Sequence, residues 1–263
     1  MKALSIRKPA VAGMFYPDDP AELREMVSTF LRQTKPGGEV PKAVIVPHAG
    51  YIYSGPIAAS AYAQVAPARG KIKRVVLLGP SHRVPFQGLA AAGNDAFATP
   101  LGNVPIDKKA IELIKELPHV EILDAVHVME HSLEVQLPFL QEVLGEFSLV
   151  PLAVGEANSD EVAEVLEQLW GGSETLIVIS SDLSHYHDYG TAGKMDRATS
   201  KAIELLKPED IDDDHACGRI PILGLLVAAK KHGLRAKTVD LRNSGDTAGP
   251  RDQVVGYGAY VFV

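Results

Sequence analysis

Apolar residues along this chain gather into short continuous runs, separated by polar stretches with helical spacing. The runs are 43–47 ("AVIVP"), 74–79 ("RVVLLG"), 148–154 ("SLVPLAV") and 175–180 ("TLIVIS"). Short runs that are apolar throughout predict strands buried on both faces. Between them, "DKKAIELIKEL" at 107–117 and "NSDEVAEVLEQLW" at 158–170 are amphipathic, and each starts on a capping residue. "SGPIAASAYAQV" at 54–65 opens on Ser and Pro and carries small residues that permit close packing on a sheet. Asp19-Pro20-Ala21-Glu22 combines an N-cap, a proline at the first helical position and an early acid, so a helix starts there. "GRIPILGLLVAAKKHG" at 218–233 is apolar on several faces and predicts a buried helix with Gly233 as its C-cap. Residues 236–241 and the alternating "VVGYGAYVFV" predict further strands. Strands alternating with helices imply an α/β fold, with a mostly parallel central sheet flanked by helices. No repeat or break in composition divides the chain, and "KPGGEVP" at 35–41 reads as a loop, so residues 1–263 are expected to form a single domain.

Composition narrows the function classes. With 46% hydrophobic and 22% charged residues, 263 residues can bury a substantial core. A net charge of −7 argues against a nucleic-acid or anionic-membrane surface. Cys217 is the single cysteine, so no intrachain disulfide can form. The N-terminal stretch lacks the apolar core of a signal peptide, and the longest apolar run, at 220–229, is too short to span a bilayer. A soluble cytoplasmic protein is expected, with neither nucleic acid nor membrane as partner.

The candidate chemistry lies at the ends of the strands. In "VPHAGY" a proline stops the 43–47 strand just before His48, and a glycine follows it. The 74–79 run leads into "GPSHR" with His82, and the 175–180 run into "SSDLSHYH" with Asp182 and His185. Carboxyl ends of strands are where open α/β sheets bind ligands. These residues are therefore expected to converge, whereas His119, His127, His215 and His232 read as ordinary histidines. In "MEHSLEVQLPFLQEVL", 129–144, leucines mark a helical face, and Pro138 should kink the helix or delay its start. His131, directly before the Ser132 cap, is the pocket candidate there, and Glu134 reads as a first-turn acid near the helix dipole. Asp246, in the Gly-rich loop 241–257, reads alone as a turn residue. Beside the histidines it becomes the best-placed carboxylate.

Two neutral imidazoles and a carboxylate suit non-haem Fe(II) with open positions, and the same donors suit catalytic Zn²⁺. A histidine off the metal serves as acid or base, because its pKa lies near working pH. There is no G-x-S-x-G elbow for a serine nucleophile, and no P-loop or dinucleotide fingerprint. Cys217, at the start of an apolar helix, reads foremost as a small core residue.

"RKPAVAGMFYPDDPAEL", "VPHAGYIYSGPIAASAY", "LLGPSHRV", "EHSLEVQLPFL", "SSDLSHY", "CGRIPI" and "SGDTAG…VVGYGAY" occur in order from residue 7 to 260. In these blocks the chain resembles the Memo proteins. The resemblance implies the fold of class III (LigB-type) extradiol dioxygenases, with the histidines facing one pocket. Carried over position by position, the family's metal histidines fall on His48 and His82, and its pocket Asp and His on Asp182 and His185. The human member's third ligand is a cysteine, matched here to Thr247. Threonine is a poor ligand, so Asp246 beside it would restore a carboxylate triad. The resemblance also implies AMMECR1-type and radical-SAM proteins as partners, and links to peptide binding and to iron or copper handling.

The expected site is thus a mononuclear metal ion, Fe(II) first with Zn or Cu as alternatives, held by His48, His82 and Asp246. His185 is its acid/base, supported by Asp182 and His131. Three functions stay open: a dioxygenase-like oxidoreductase acting on a small aromatic substrate, a protein binding a peptide or partner in this pocket, and a Zn-dependent hydrolase.

Overall fold

The computed structural model describes residues 4–35 and 37–263. Pro36, part of the expected 35–41 loop, lies outside the described residues, as do residues 1–3. The strands are β1 (Ile6–Arg7), β2 (Ala43–Val46), β3 (Arg74–Pro80), β4 (Leu89–Ala91), β5 (Ala96–Thr99) and β6 (Gly102–Pro105). They continue with β7 (Val120–Ile122), β8 (Ser148–Val154), β9 (Thr175–Ser180), β10 (His185–His187), β11 (Ala236–Asn243) and β12 (Val254–Phe262). The helices are α1 (Pro20–Arg32), α2 (Tyr51–Val65), α3 (Lys108–Ile114) and α4 (Asp124–His127). After these come α5 (Leu137–Leu144), α6 (Ser159–Leu169), α7 (Tyr189–Glu204) and α8 (Arg219–Lys231).

The main sheet runs β10-β12-β2-β9-β3-β8-β4-β7, with β11 also paired to β12. At its centre β2, β9, β3 and β8 are parallel, and these are the four continuous apolar runs of the sequence. They are buried along almost their whole length, which is why they show no alternation. The sheet as a whole is mixed: β12 is antiparallel to β2, and β4 to β8. The chain reaches β12 from β11 directly through the 244–253 loop, and such a return places the two strands antiparallel. A small second sheet, β1-β5-β6, ties residues 6–7 to the body of the fold. Among the described residues, no helix is long and apolar enough to cross a membrane.

Helix starts follow the local chemistry. Asp19 accepts from Ala21 N and Glu22 N at the head of α1. Asn158 and Glu161 close a capping box at α6. Asn158→Ala is expected to cost about 1 kcal/mol of stability, read by urea denaturation. Pro138 sits in the first turn of α5, so the regular helix begins only at Leu137, after a 3-10 turn at 134–136. His131 and Glu134 therefore share no helical face. The chain sends them in different directions.

Candidate metal centre

Parallel pairing puts the ends of three neighbouring strands on one edge. Val46 pairs with Ser180, and Leu78 with Ile179, so His48, His82 and Asp182 all emerge just past aligned strand ends. The loop carrying His131 is pinned to the same edge, because Ser132 Oγ donates to the Pro80 carbonyl at 2.8 Å. Gly79 makes this approach possible. A Cβ there would lie 2.9 Å from Ser132 Oγ and 3.0 Å from Leu133 Cδ2.

The result is a three-histidine cluster. One ring nitrogen each from His48, His82 and His131 lies within 4.8 Å of the others, and together they could hold a metal ion. The His82 and His131 rings stack with centroids 4.8 Å apart, and the His48 ring stands edge-on to both at 5.2 and 5.5 Å.

Proton accounting shows which nitrogen of His48 is available. Gln136 Nε2 donates to the Pro47 carbonyl at 2.9 Å and to Ser180 Oγ at 2.8 Å, while its Oε1 accepts from Tyr62. Ser180 Oγ spends its one proton on the Ser132 carbonyl at 2.6 Å. Toward His48 Nδ1, 3.0 Å away, it can therefore only accept. Nδ1 carries the proton, and Nε2 of His48 presents a lone pair. His131 Nδ1 is buried without a hydrogen-bond partner, 3.4 Å from Glu130 Oε1, and one of the His131 ring nitrogens joins the cluster. The three residues thus fit a metal on donor chemistry as well as on spacing.

Burial keeps the His48 and His131 rings neutral. It lowers the pKa of His48 to about 3, with the neighbouring His82 adding to the effect. His131 is lowered to about 4, again by burial first and then by His48. Neutral imidazole is the form that binds metal. Asp182 accepts from His48 N at 2.7 Å, and burial raises its pKa. His185 is half-buried and close enough to act electrostatically on both His48 and Asp182. Beside it Tyr186 holds φ at +61° and is 72% exposed, a backbone conformation that costs a bulky residue energy, as is common at functional sites.

Asp246 is not in the cluster. Its carboxylate accepts from Tyr189 Oη at 2.6 Å and from Asn243 N at 3.1 Å, closing a capping box on the 244–246 turn. The turn chemistry legible in the loop satisfies the carboxylate locally, and His131 takes the third place. Thr247 likewise bonds to the Ser244 carbonyl.

The thiol at the site is Cys217, whose Sγ lies 3.4 Å from His48 Nε2. Gly218 lets it in: a Cβ at that position would come within 2.6 Å of Ser181 Cβ. Burial, followed by the nearby Asp182 charge, pushes the Cys217 pKa up to about 12, so the group is a thiol in the metal-free protein.

Two buried acids complete the surroundings. Glu130 accepts from His82 Nδ1 at 3.0 Å. Burial alone would raise its pKa, but hydrogen bonds from His82 and Ser132 prevail and hold it at about 2. Glu134 turns away from the cluster and gathers Arg7, Tyr16, Ala10 N and Val11 N. A cavity of about 720 Å³ opens beside Cys217 and Ser81, with Val84, Phe86 and Ile220 as apolar walls and Arg219 in its lining. Its size is that of a small-molecule site.

A mixed α/β sheet bearing three imidazoles at the carboxyl edge of its parallel strands defines a class of α/β proteins equipped for a metal. The family model for Memo-like proteins matches residues 7–261, and the chain belongs to that family. A MEMO1 family protein of Aquifex aeolicus is 37% identical over 272 residues, covering 99% of this chain and 100% of that one. Another, from Saccharolobus solfataricus, is 35% identical over 282 residues and covers 97% and 99%. The crystal structure of an uncharacterized Escherichia coli K12 protein is similar with a TM-score of 0.54 at 11% identity. It covers 83% of this chain and 98% of that one, a likeness of fold alone.

Proposed function

We propose that this chain is a metal-dependent enzyme with a mononuclear site on His48, His82 and His131, and that Cys217 lies within reach as a further donor. The observation that carries this reading is the convergence of three histidine ring nitrogens within 4.8 Å of one another, with His48 neutral and presenting its Nε2 lone pair. Imidazole and thiol donors suit iron, copper and zinc. With iron, the bound ion supplies Lewis acidity and one-electron chemistry, so oxidation of a small aromatic substrate is the leading reaction. The cavity beside Cys217, walled in part by Val84, Phe86 and Ile220, has the volume for such a ring. Asp182 holds the His48 backbone, and the half-buried His185 would take or return a substrate proton. Three histidines also match the donor set of catalytic zinc sites, which makes hydrolysis the second reading.

Metal content tests the first step. Protein purified anaerobically without chelators is expected to carry near-stoichiometric metal, lost in His48→Ala and His131→Ala but kept in Asp246→Ala. Iron would direct the next assays to oxygen uptake, zinc to hydrolysis. No bound metal, with none taken up from added Fe(II) or Zn(II), would overturn the proposal.

A further inference from the structure

Glu130 is 2% exposed, yet its carboxylate is the most heavily used acceptor at the cluster. Oε2 receives the backbone N–H of His82 at 2.5 Å. Oε1 receives His82 Nδ1 at 3.0 Å and the backbone N–H groups of His131 and Ser132, both at 2.9 Å. Oε1 also lies 3.4 Å from the His131 ring nitrogen, without a hydrogen bond to it. On its other side, the Glu130 carbonyl accepts from Arg7 Nη2 at 2.5 Å, so the acid is anchored from behind.

An ionised carboxylate can only accept. Its contact with His82 Nδ1 therefore requires the proton on Nδ1 and leaves Nε2 as a lone pair. His82 follows β3 and His131 follows α4, so the two ligands come from separate parts of the chain. Among the described residues, Glu130 is the one side chain that binds the backbone of both. We propose that Glu130 is the positioning residue of this centre: it fixes the His82 tautomer and joins His82 and His131 into one rigid ligand pair. A group of this kind, holding the far nitrogen of a metal-binding histidine, governs affinity without touching the ion. The proposal rests on the three-histidine reading of the metal site.

Two substitutions separate charge from tautomer. Glu130→Gln removes the charge but keeps an oxygen that can still accept from Nδ1–H. Glu130→Ala removes both. The tautomer is read in the metal-free protein from long-range ¹H–¹⁵N spectra, with His82→Asn assigning the ring. Zn(II) affinity is read by competition with a chromophoric chelator. Expected are an Nδ1–H ring in wild type and in Glu130→Gln, and a shift toward Nε2–H in Glu130→Ala. Zn(II) affinity should fall about 10–100-fold, less in Gln than in Ala. A role limited to holding the loop would leave the tautomer unmoved in both variants. His82 remaining Nδ1–H in Glu130→Ala would overturn the proposal, as would a Glu130→Gln affinity within threefold of wild type. If Glu130→Ala does not fold, the Gln affinity decides. Failure of wild type to bind Zn(II) would instead remove the metal reading, and the tautomer spectra would still decide what Glu130 does.

Discussion

Glu134→Ala is expected to remove about 3–5 kcal/mol of folding stability, the cost of stripping one partner from a buried ion pair. Glu134 is fully buried and bonded to Arg7, which is 4% exposed, so the substitution leaves a guanidinium with no counter-charge. The Tyr16 hydroxyl and the N–H groups of Ala10 and Val11 lose their acceptor as well. A domain of this kind has about 5–15 kcal/mol in total, so the variant should sit near the edge of folding. Glu134→Gln keeps the shape and one acceptor oxygen and should lose less. Urea denaturation at neutral pH checks both. A loss below about 1 kcal/mol in Glu134→Ala would mean that residues 7–16 do not depend on this anchor.

Acidification of the metal-free protein should be the other large effect. His48 is held at about 3 and His131 and His127 at about 4, all by burial first, against an ordinary value of 6.5. Between pH 6.5 and 4 the unfolded chain therefore binds protons that the folded chain does not. Stability is complete above pH 6.5 and falls as pH drops toward the folded values. Each of the three histidines costs about 2 kcal/mol by pH 5. Asp182 and Asp196, both raised by burial, take up protons in the folded state and offset part of this loss. His127 isolates one contribution, because its Nε2 contacts the Ala90 carbonyl and it is not one of the three clustered histidines. In His127→Gln the slope of stability against pH between 5 and 6 should fall by about 1 kcal/mol per pH unit. An unchanged slope would show that His127 titrates alike in both states.

Legibility in the sequence followed the range of the forces. The four parallel strands were readable because burial on both faces leaves continuous apolar runs. α1 and α6 were readable because their caps are local. α7 was not: Gly, Thr and Ser weaken its propensity, and packing on β11 and β12 decides it. Asp246 shows the opposite case: its turn chemistry is legible in the sequence, and in the fold its carboxylate stays with Tyr189 and Asn243, outside the three-histidine cluster. Cys217 is the converse case, a residue that reads as core and lies 3.4 Å from His48 through a glycine contact no local pattern reveals.

By itself, then, the sequence determined the four central parallel strands with β11 and β12, most of the helices, the family, and the placing of His48, His82 and Asp182 at strand ends, since these follow from neighbours along the chain. Tertiary structure alone decided the third imidazole, the roles of Glu130 and Glu134, and the cavity. Those depend on which polar groups, far apart in the chain, must satisfy one another once water is excluded. Hydrophobic periodicity carries no record of that pairing.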